Sequence, residues 1–385
     1  MSIYSCNVGL LMNESSLELT EAIHMAGCPF VLAVTGGGSR SASALLEVPG
    51  ASASVLEVVV PYARTALEQW LGGSVDAACS QRTACAMAMV AFDRARQLGG
   101  ANVHSLRGIA ATASLATKRA KKGGHRLHIA WQSSARTVVQ SCEWVKDRRS
   151  RAEEEQLCAE LILHTVATAC GISAPPLALP EDVTVQLREK TAPHDWTELV
   201  LGARDTVLHN GQNGVSPKLL FPGAFHPLHE GHRSMAAFAE ERLGLPVCYE
   251  ISIANVDKPP LDFLELDDRL QQFKDKPVLL TRAPVFAGKA ALVPGATFIV
   301  GADTMSRIGQ QRYYASALEQ VAAINTLAEH GCRFLVFGRK SDQQFLTLEQ
   351  LALPDALAAI CDQVSESDFR ADMSSTQLRV PHNDR

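Results

Sequence analysis

The sequence predicts an α/β protein with two domains, the second of which is built on a doubly wound parallel sheet. Apolar, strand-like runs alternate with helix-like segments in both halves of the chain, as in layered α/β folds. The length of 385 residues exceeds the ~250–300 residues at which single cores stop growing. Because 172–217 is rich in Pro, Asp, Asn and Gly, we predict domains at 1–171 and 218–385 joined by a partly structured linker.

The composition is that of an ordinary globular protein. Hydrophobic residues make up 46% of the chain, charged residues 20%, and the net charge is -5, which argues against a disordered chain or a nucleic-acid coat. The first residues lack a basic segment followed by a long apolar one, and no run reaches the ~18 apolar residues of a membrane span. The ten cysteines are scattered without a CxxC pair. We therefore expect a cytoplasmic protein with no nucleic-acid or membrane partner and with mostly buried free thiols.

The first half contains helix and strand patterns in a regular order. Apolar spacing around 17–23 predicts a helix, and the apolar run 30–34 predicts a buried strand that ends in a glycine-rich loop at 35–39. Ser150 and Glu153 have capping-box spacing. With Gly171 as a stop signal, they predict a helix that closes this half.

The second half alternates more regularly. We predict strands at 219–221, 247–253, 297–300 and 334–337, and helices at 233–243, 267–273 and 314–330. Within the linker, 183–185 and 199–201 are consistent with short strands. Ligands of doubly wound sheets bind beyond the C-terminal ends of the strands, and segment 223–232 directly follows the first of these strands.

Segment 223–232, GAFHPLHEGH, is the strongest functional signal in the chain. Gly223 and Gly231 allow a backbone to approach an anion closely. His229 and His232, on the first turn of the predicted helix, can both donate hydrogen bonds to phosphate oxygens, and the helix N-terminus adds N–H groups and a partial positive charge. The segment predicts a nucleotide phosphate site. A metal-binding histidine pair is the alternative, but no third ligand accompanies the two, so we predict no metal ligated by the protein.

The pattern GxFxPxHxGH at 223–232 resembles the first signature of the HxGH nucleotidyltransferase superfamily, which transfers a nucleoside monophosphate to a phosphate-bearing acceptor and releases pyrophosphate. The pattern SSTxxR at 374–379 resembles the second signature. The resemblance implies a Rossmann-like domain in which His229 and His232 contact the nucleotide phosphates. It also implies that Arg379 neutralises the leaving group and that Mg²⁺ bridges the triphosphate of ATP.

Within that superfamily, the second half looks most like the nicotinamide or nicotinate mononucleotide adenylyltransferases. Gly301 and Asp303 resemble the acceptor-binding strand end of those enzymes, and Arg339 resembles their strand-end arginine near the adenine. One departure is Pro381, which interrupts the helix that usually continues after the second signature. The resemblance implies a nucleotide-binding set of Gly223, Phe225, Gly231, Lys258, Arg339, Ser374, Ser375 and Thr376.

Several of these positions also have a purely structural interpretation. The residues 374–376 are by themselves a common N-cap sequence. Lys258 lies in a turn-like sequence and is consistent with a surface lysine, whereas Gly301 and Asp303 fit a turn that ends a strand. Two other functions also remain open. They are a nucleotidyltransferase with another acceptor, such as phosphopantetheine or a phospho-alcohol, and a non-catalytic nucleotide-binding regulatory scaffold.

The first half resembles the CinA C-terminal domain over about residues 10–171, on the segments 35–37, 42–52 and 60–62. That family includes nicotinamide-nucleotide amidases, and the resemblance places Ala33 at its serine nucleophile and Leu67 at its lysine base. Neither side chain can perform the expected chemistry. The resemblance therefore implies a degenerate amidase-like site at Ala33, Thr35, Gly36, Gly37, Tyr62 and Leu67.

Alternatives also exist in this half. The loop is about two residues longer than usual, which permits an alignment with Ser39 or Ser41 at the nucleophile position. The glycine loop can bind an anion through its backbone N–H groups or can simply be a strand-to-helix turn. The basic stretch 118–126 is consistent with a solvated hairpin or a nucleic-acid patch, and the lack of aromatic residues favours the hairpin. CinA-like domains tend to associate, which implies a homo-oligomer through this half.

The two resemblances together imply an ATP-dependent adenylyltransferase of NAD biosynthesis. Its substrates are ATP with Mg²⁺ and a mononucleotide, and its first domain is an inactive amidase-like domain.

Overall fold

The computed structural model describes residues 14–100, 102–118, 122–174, 176–211, 216–255, 259–340 and 345–369. The chain forms two compact units, Met1–Ala192 with Asp257–Leu264 and Pro193–Val256 with Glu265–Arg385. Both are α/β, each with its own mixed sheet. The change from one unit to the other after Ala192 lies inside the segment that the sequence suggested as a linker.

The first unit contains a six-stranded sheet of order β2-β1-β3-β4-β5-β6. Strand β1 is parallel to β2 and β3, and the later neighbours are antiparallel. Its elements are α1 (Glu14–Met25), β1 (Phe30–Thr35), α2 (Arg40–Glu47), β2 (Val55–Val59), α3 (Arg64–Leu71), α4 (Gln81–Leu98), β3 (Arg107–Ser114), β4 (His125–Gln132), β5 (Arg136–Trp144), α5 (Arg151–Ala169) and β6 (Val183–Thr191).

Strand β1 is fully buried because apolar clusters cover both faces of the sheet. Leu32 belongs to the cluster formed with α1 and α5, and Ala33 belongs to the cluster formed with α4. Helix α4 approaches β3 closely, since a Cβ at Gly108 would lie 2.0 Å from the backbone nitrogen of Phe92. The predicted capping box is confirmed: Ser150 caps α5 and exchanges hydrogen bonds with Glu153.

The remaining elements lie further along the chain. They are α6 (His194–Leu201), β7 (Thr206–His209), β8 (Leu219–Pro222), α7 (Glu230–Leu243), β9 (Val247–Ser252), α8 (Phe263–Leu270), β10 (Val278–Thr281), α9 (Phe286–Leu292), β11 (Thr297–Gly301), α10 (Ala302–Gly309), α11 (Ala317–Glu329), β12 (Arg333–Phe337), β13 (Arg339–Lys340), β14 (Phe345–Leu346), α12 (Asp355–Ala358) and β15 (Cys361–Val364).

The sheet of the second unit has the order β15-β12-β11-β8-β9-β10-β7. Six strands are parallel, and β7 is antiparallel at one edge. The sheet is therefore mixed, whereas the sequence predicted a purely parallel sheet. Numbered along the chain from β8, the parallel strands follow the doubly wound order 3-2-1-4-5-6, which reverses direction between β8 and β11.

The two central strands separate where the strand order reverses. Strand β8 pairs with β11 only at Leu219 and Leu220, but it pairs with β9 as far as Pro222. Strand β11 likewise pairs with β12 as far as Gly301. The sheet therefore opens between the C-terminal ends of β8 and β11, where doubly wound folds bind their ligands.

The four strands predicted for the second half are confirmed, and the three helices lie within or next to the observed ones. The prediction of a strand at 199–201 was wrong, because these residues belong to α6. Residues 183–185 begin the longer strand β6. Within the part of the chain that the structure describes, every helix is too short or too polar for a membrane span.

Candidate active site

The loop after β8 is fixed by a buried aromatic side chain. Phe225 has a φ of +43°, a backbone conformation that bulky residues rarely adopt, and its side chain is 2% exposed. The ring explains Gly223, because a Cβ at that position would lie 2.7 Å from the Phe225 ring. Four other rings meet it edge-on at centroid distances of 5.1 to 5.4 Å: His232, Tyr249, Phe273 and Phe221.

Two further contacts hold the loop. The Gly223 N–H donates to the carbonyl oxygen of Glu250 on β9 at 3.0 Å. Gln272 accepts from the Leu228 N–H at 2.8 Å and donates from Nε2 to the Phe225 carbonyl oxygen at 3.1 Å. Gln272 could not be predicted from the sequence, because a lone glutamine after a helix is indistinguishable from a surface residue until its partners are known.

His229 and His232 lie together at the N-terminus of α7. His229 is the N-cap residue, and the two rings stack with centroids 3.7 Å apart. The His229 N–H donates to His232 Nδ1 at 3.3 Å, so the neutral His232 ring carries its proton on Nε2. Burial, with the nearby His229 and Arg233, lowers the pKa of His232 to about 3. His232 is therefore a neutral hydrogen-bond donor at physiological pH.

Helix α7 adds to the attraction for an anion at the same place. Its first turn contains the buried Gly231, and helix N-termini present N–H groups and a partial positive charge. One loop thus combines an imidazole donor with a helix N-terminus, which suits an anionic ligand such as a phosphate. Among the described residues, no cluster of three or more His, Cys, Asp or Glu side chains could hold a metal ion.

The other side of the opening is formed by the end of β11. Gly301 caps α10, and Asp303 is an exposed residue of its first turn. A Cβ at Gly301 would meet no described atom within 4 Å, so packing does not require glycine there. Nothing in the described part of the chain fills the space beside Gly301, and the nearby carboxylate of Asp303 can accept hydrogen bonds from hydroxyl groups.

Phe369 is the last described residue before the second signature in the sequence. Phe369 packs against Phe238 of α7 and Phe337 at the end of β12, with ring centroids 5.6 and 5.0 Å away. Residues Ser374, Ser375, Thr376 and Arg379 lie outside the described residues, as does Lys258. Arg339 begins β13, two residues after the end of β12.

A buried ion pair behind the loop was missed by the sequence reasoning. Lys289 of α9 lies 2.6 Å from the Glu250 carboxylate, which also accepts from the Thr281 hydroxyl at 2.6 Å. Glu250 is 1% exposed and Lys289 is 5% exposed. These contacts join α9, β9 and β10, and the Glu250 backbone holds Gly223 in turn. Only the packed fold brings these distant residues together.

In the first unit, the glycine loop after β1 packs tightly on neighbouring elements. A Cβ at Gly36 would lie 2.0 Å from the Ala113 carbonyl oxygen, and one at Gly37 would lie 2.4 Å from the Leu115 side chain. Close packing therefore accounts for both glycines. The Thr35 hydroxyl donates to the Pro61 carbonyl oxygen at 2.9 Å.

The hydrogen-bond donors of the same loop are occupied by a carboxylate of the chain itself. Glu155 of α5 accepts hydrogen bonds from the Gly38 N–H at 2.8 Å, the Ser39 hydroxyl at 2.9 Å and the Arg40 N–H at 3.3 Å. Burial alone would raise the pKa of Glu155, but these hydrogen bonds outweigh it and hold the pKa below its ordinary value. Arg151 donates to the Gly36 carbonyl oxygen at 2.8 Å from the same helix. The anion that this loop binds is therefore the carboxylate of Glu155, a residue of the same chain.

The positions that the amidase resemblance assigns to a nucleophile and a base are apolar and buried. Ala33 is 0% exposed and Leu67 is 1% exposed, and both belong to one hydrophobic cluster. Tyr62, in contrast, is 68% exposed. The Ser41 hydroxyl is buried and donates to the Gly38 carbonyl oxygen at 2.7 Å.

The prediction of a hairpin at 118–126 is confirmed, because the flanking strands β3 and β4 pair antiparallel, but the expectation that His125 is solvated was wrong. This histidine is 5% exposed and contacts the fully buried Glu154 carboxylate at 2.6 Å. Residues 119–121 lie outside the described residues.

No protein-family model and no curated protein matches the chain. Solved structures that match part of the chain include the competence/damage-inducible protein CihA from Agrobacterium tumefaciens, with 22% identity over 41% of this chain and 98% of that one, at a TM-score of 0.33. A CinA superfamily protein from Klebsiella pneumoniae has 19% identity over 40% and 96% of the two chains, at a TM-score of 0.32. One from Escherichia coli has 17% identity over 44% and 96%, at a TM-score of 0.30.

Proposed function

We propose that the second unit is a nucleotidyltransferase that transfers the adenylyl group of ATP to a mononucleotide and releases pyrophosphate. Nicotinamide or nicotinate mononucleotide is the acceptor that the residues favour. One observation carries the proposal: the sheet opens between β8 and β11, with the histidine loop at one strand end and Gly301 and Asp303 at the other. Doubly wound folds bind nucleotides at such an opening.

The proposed reaction requires alignment and charge neutralisation. An oxygen of the acceptor phosphate attacks the α-phosphorus of ATP, and the bond from that phosphorus to the pyrophosphate oxygen breaks. Negative charge develops on the α-phosphate oxygens and on the leaving pyrophosphate. His229, His232 and the α7 N-terminus are suited to stabilise this charge, because their donors are fixed before the substrate binds.

We assign the neutralisation of the remaining negative charge to magnesium and to residues of the second signature. Magnesium enters with the triphosphate, as part of the substrate, and Arg379 with Ser374, Ser375 and Thr376 holds the pyrophosphate portion. Phe369 supports this assignment, since the chain that leads to these residues starts beside α7 and β12.

The acceptor is proposed to bind at the β11 end. We assign the Asp303 carboxylate to accept hydrogen bonds from ribose hydroxyls, and the position of this residue in the first turn of α10 supports the assignment. Gly301, beside which no described atom lies within 4 Å of a Cβ position, would let the acceptor approach the backbone. We further propose that the first unit has no amidase activity, because Ala33 and Leu67 lie in an apolar cluster and Glu155 fills the anion-binding loop.

The first prediction concerns turnover and its dependence on His232. Incubation of the full chain with ATP, Mg²⁺ and nicotinamide or nicotinate mononucleotide is expected to release pyrophosphate and form a dinucleotide. His232→Ala removes a preorganised donor and is expected to lower kcat/KM by about 10²–10³-fold. His194→Ala on α6 is the control, because that side chain is 86% exposed, and it should retain full activity.

Three outcomes would contradict parts of this proposal. Full turnover in His232→Ala would remove the histidine loop from the site. Pyrophosphate release with phosphopantetheine but not with mononucleotides would change the acceptor class. Tight ATP binding without pyrophosphate release for any acceptor would indicate a regulatory scaffold.

A further inference from the structure

Two cysteines of the first unit contact each other although they are far apart in the sequence. Cys28 lies two residues before β1, and Cys170 directly follows α5. Cys170 Sγ is 3.9 Å from the Cys28 carbonyl oxygen, so the two residues are in direct contact. Both are free thiols. Two cysteines in contact across the fold meet the first requirement for a disulfide, which is that their backbones lie close together.

Arg107 holds the two chain segments together. Its backbone N–H donates to the Pro29 carbonyl oxygen at 3.0 Å, and its Nε donates to the Ala169 carbonyl oxygen at 2.8 Å. One residue of β3 therefore fixes the neighbours of both cysteines. The hydrogen bond from Cys170 outweighs burial and, with the charge of Arg107, lowers the pKa of Cys28. Cys28 is thus the thiol of the pair that ionises more easily, and a thiolate is the reactive form.

A small oxidant can reach the pair from the surface. Cys28 is 5% exposed and Cys170 is partly exposed, and each has an exposed glycine beside it. Gly27 and Gly171 have φ values of +63° and +78°, and a Cβ at either would meet no described atom within 4 Å. Among the described residues, nothing fills the space at these two glycines, which are the chain neighbours of the two thiols.

We propose that Cys28 and Cys170 form a reversible disulfide when the protein meets a peroxide. The Cys28 thiolate attacks one peroxide oxygen, the O–O bond breaks, and water leaves after protonation, which gives a sulfenic acid. The Cys170 sulfur then attacks Cys28 Sγ, the S–O bond breaks, and a second water leaves with the Cys170 proton. Two thiols are oxidised, one hydrogen peroxide is reduced to two waters, and an added dithiol restores both thiols.

A second pair of thiols in the same unit lacks these properties. Cys142 and Cys158 are both 0% exposed in the core beneath α5. Burial raises the pKa of Cys142 to about 11, and it raises the pKa of Cys158 well above its ordinary value. Neither an oxidant nor a thiolate is available there, so these two cysteines should stay reduced.

The disulfide would connect the start of β1 to the end of α5. The other end of α5 holds the loop after β1 through Arg151 and Glu155. Oxidation would therefore fasten this helix to β1 at both ends.

The test is peroxide titration of the reduced, full-length protein followed by non-reducing peptide mapping with mass spectrometry. We expect one cross-linked peptide pair containing Cys28 and Cys170, lighter by two hydrogen atoms, that disappears with dithiothreitol. Cys170→Ser removes the resolving thiol, so Cys28 should accumulate as a sulfenic acid that dimedone traps. Cys28→Ser should leave Cys170 reduced. Cys79→Ser, at another partly exposed cysteine, should form the cross-link as the wild type does.

Circular dichroism of each variant before oxidation checks that it is folded. The proposal is overturned if Cys28 and Cys170 remain reduced at peroxide levels that oxidise Cys79. It is equally overturned if dimedone labels no Cys28 in folded Cys170→Ser.

Discussion

His232 shows how burial and one backbone contact decide the chemistry of a motif histidine. The sequence predicted a phosphate-contacting imidazole, but not its protonation state. Because Nδ1 accepts from the His229 N–H and the ring is desolvated, the ring is held neutral with its donor on Nε2. Unlike an imidazolium ion, which loses its extra proton near neutral pH, a neutral imidazole keeps its donor N–H at that pH. Motif histidines can therefore be assigned a donor role only after their surroundings are known.

The pH dependence of stability should reveal this neutral ring. The folded pKa of about 3 lies below the ordinary value of 6.5, so between these values the unfolded chain binds more protons than the folded one. The contribution of His232 is fully present above pH 6.5 and is lost as the pH falls through this window. Wild-type protein should lose more thermal stability between pH 7.5 and 4.5 than His232→Gln, whereas His194→Gln should follow the wild type. Parallel melting curves for wild type and His232→Gln would contradict the assignment.

At the scale of elements, the apolar pattern was sufficient for four strands of the second unit and insufficient for segments of mixed composition. The strands β8, β9, β11 and β12 were predicted because their runs are mostly apolar, although β9 also contains Glu250. Strand β15 was missed because Cys361–Val364 mixes polar and apolar residues. Three residues at 199–201 cannot distinguish a strand from a helix, and in α6 they follow the buried Trp196 at helical spacing.

The buried ion pair between α9 and β9 provides a test of how elements are held around the loop. Lys289→Met leaves the Glu250 carboxylate buried beside only the Thr281 hydroxyl, which should cost about 3–5 kcal/mol in the free energy of unfolding. The double variant Glu250→Gln with Lys289→Met removes both charges, and it should be less destabilised than Lys289→Met alone. Urea unfolding measures both.

Lys276→Met is the matched control for this cycle. Lys276 Nζ lies 3.9 Å from Glu240, and its side chain is 58% exposed. An exposed pair of this kind contributes roughly 0–1 kcal/mol. Two results would contradict a stabilising role of the ion pair between α9 and β9. One is an equal loss of stability in the Lys289 and Lys276 variants, and the other is additivity of the Glu250 and Lys289 effects.

At the scale of the whole molecule, the sequence located the loop of the candidate site but not the residues that support it. The glycines and histidines of 223–232 are close together in the chain, so their spacing is visible as a pattern. Gln272, Lys289 and Glu155 act through contacts with residues 39 to 117 positions away. Such pairs arise only when the elements pack, and a single sequence contains no record of them.

A second assay tests whether the chain has amidase activity in addition to the proposed adenylyl transfer. Incubated with nicotinamide mononucleotide, the full chain should release no ammonia above the buffer background, because the positions that the amidase resemblance assigns to the nucleophile and the base are alanine and leucine. Ser39→Ala and Ser41→Ala should give the same result. An active nicotinamide-nucleotide amidase serves as the positive control. Ammonia release that either serine variant abolishes would show a second active site.

The carboxylate of Glu155 also bears on what an engineered amidase site in the first unit would require. On the amidase resemblance, a serine at position 33 and a lysine at position 67 would supply two reactive groups, but the donors of the glycine loop would still be occupied by Glu155. A substrate anion would have to compete with a group tethered at high effective concentration. We therefore expect that introducing the reaction would take at least three substitutions, because the Glu155 carboxylate would also have to be removed from the loop.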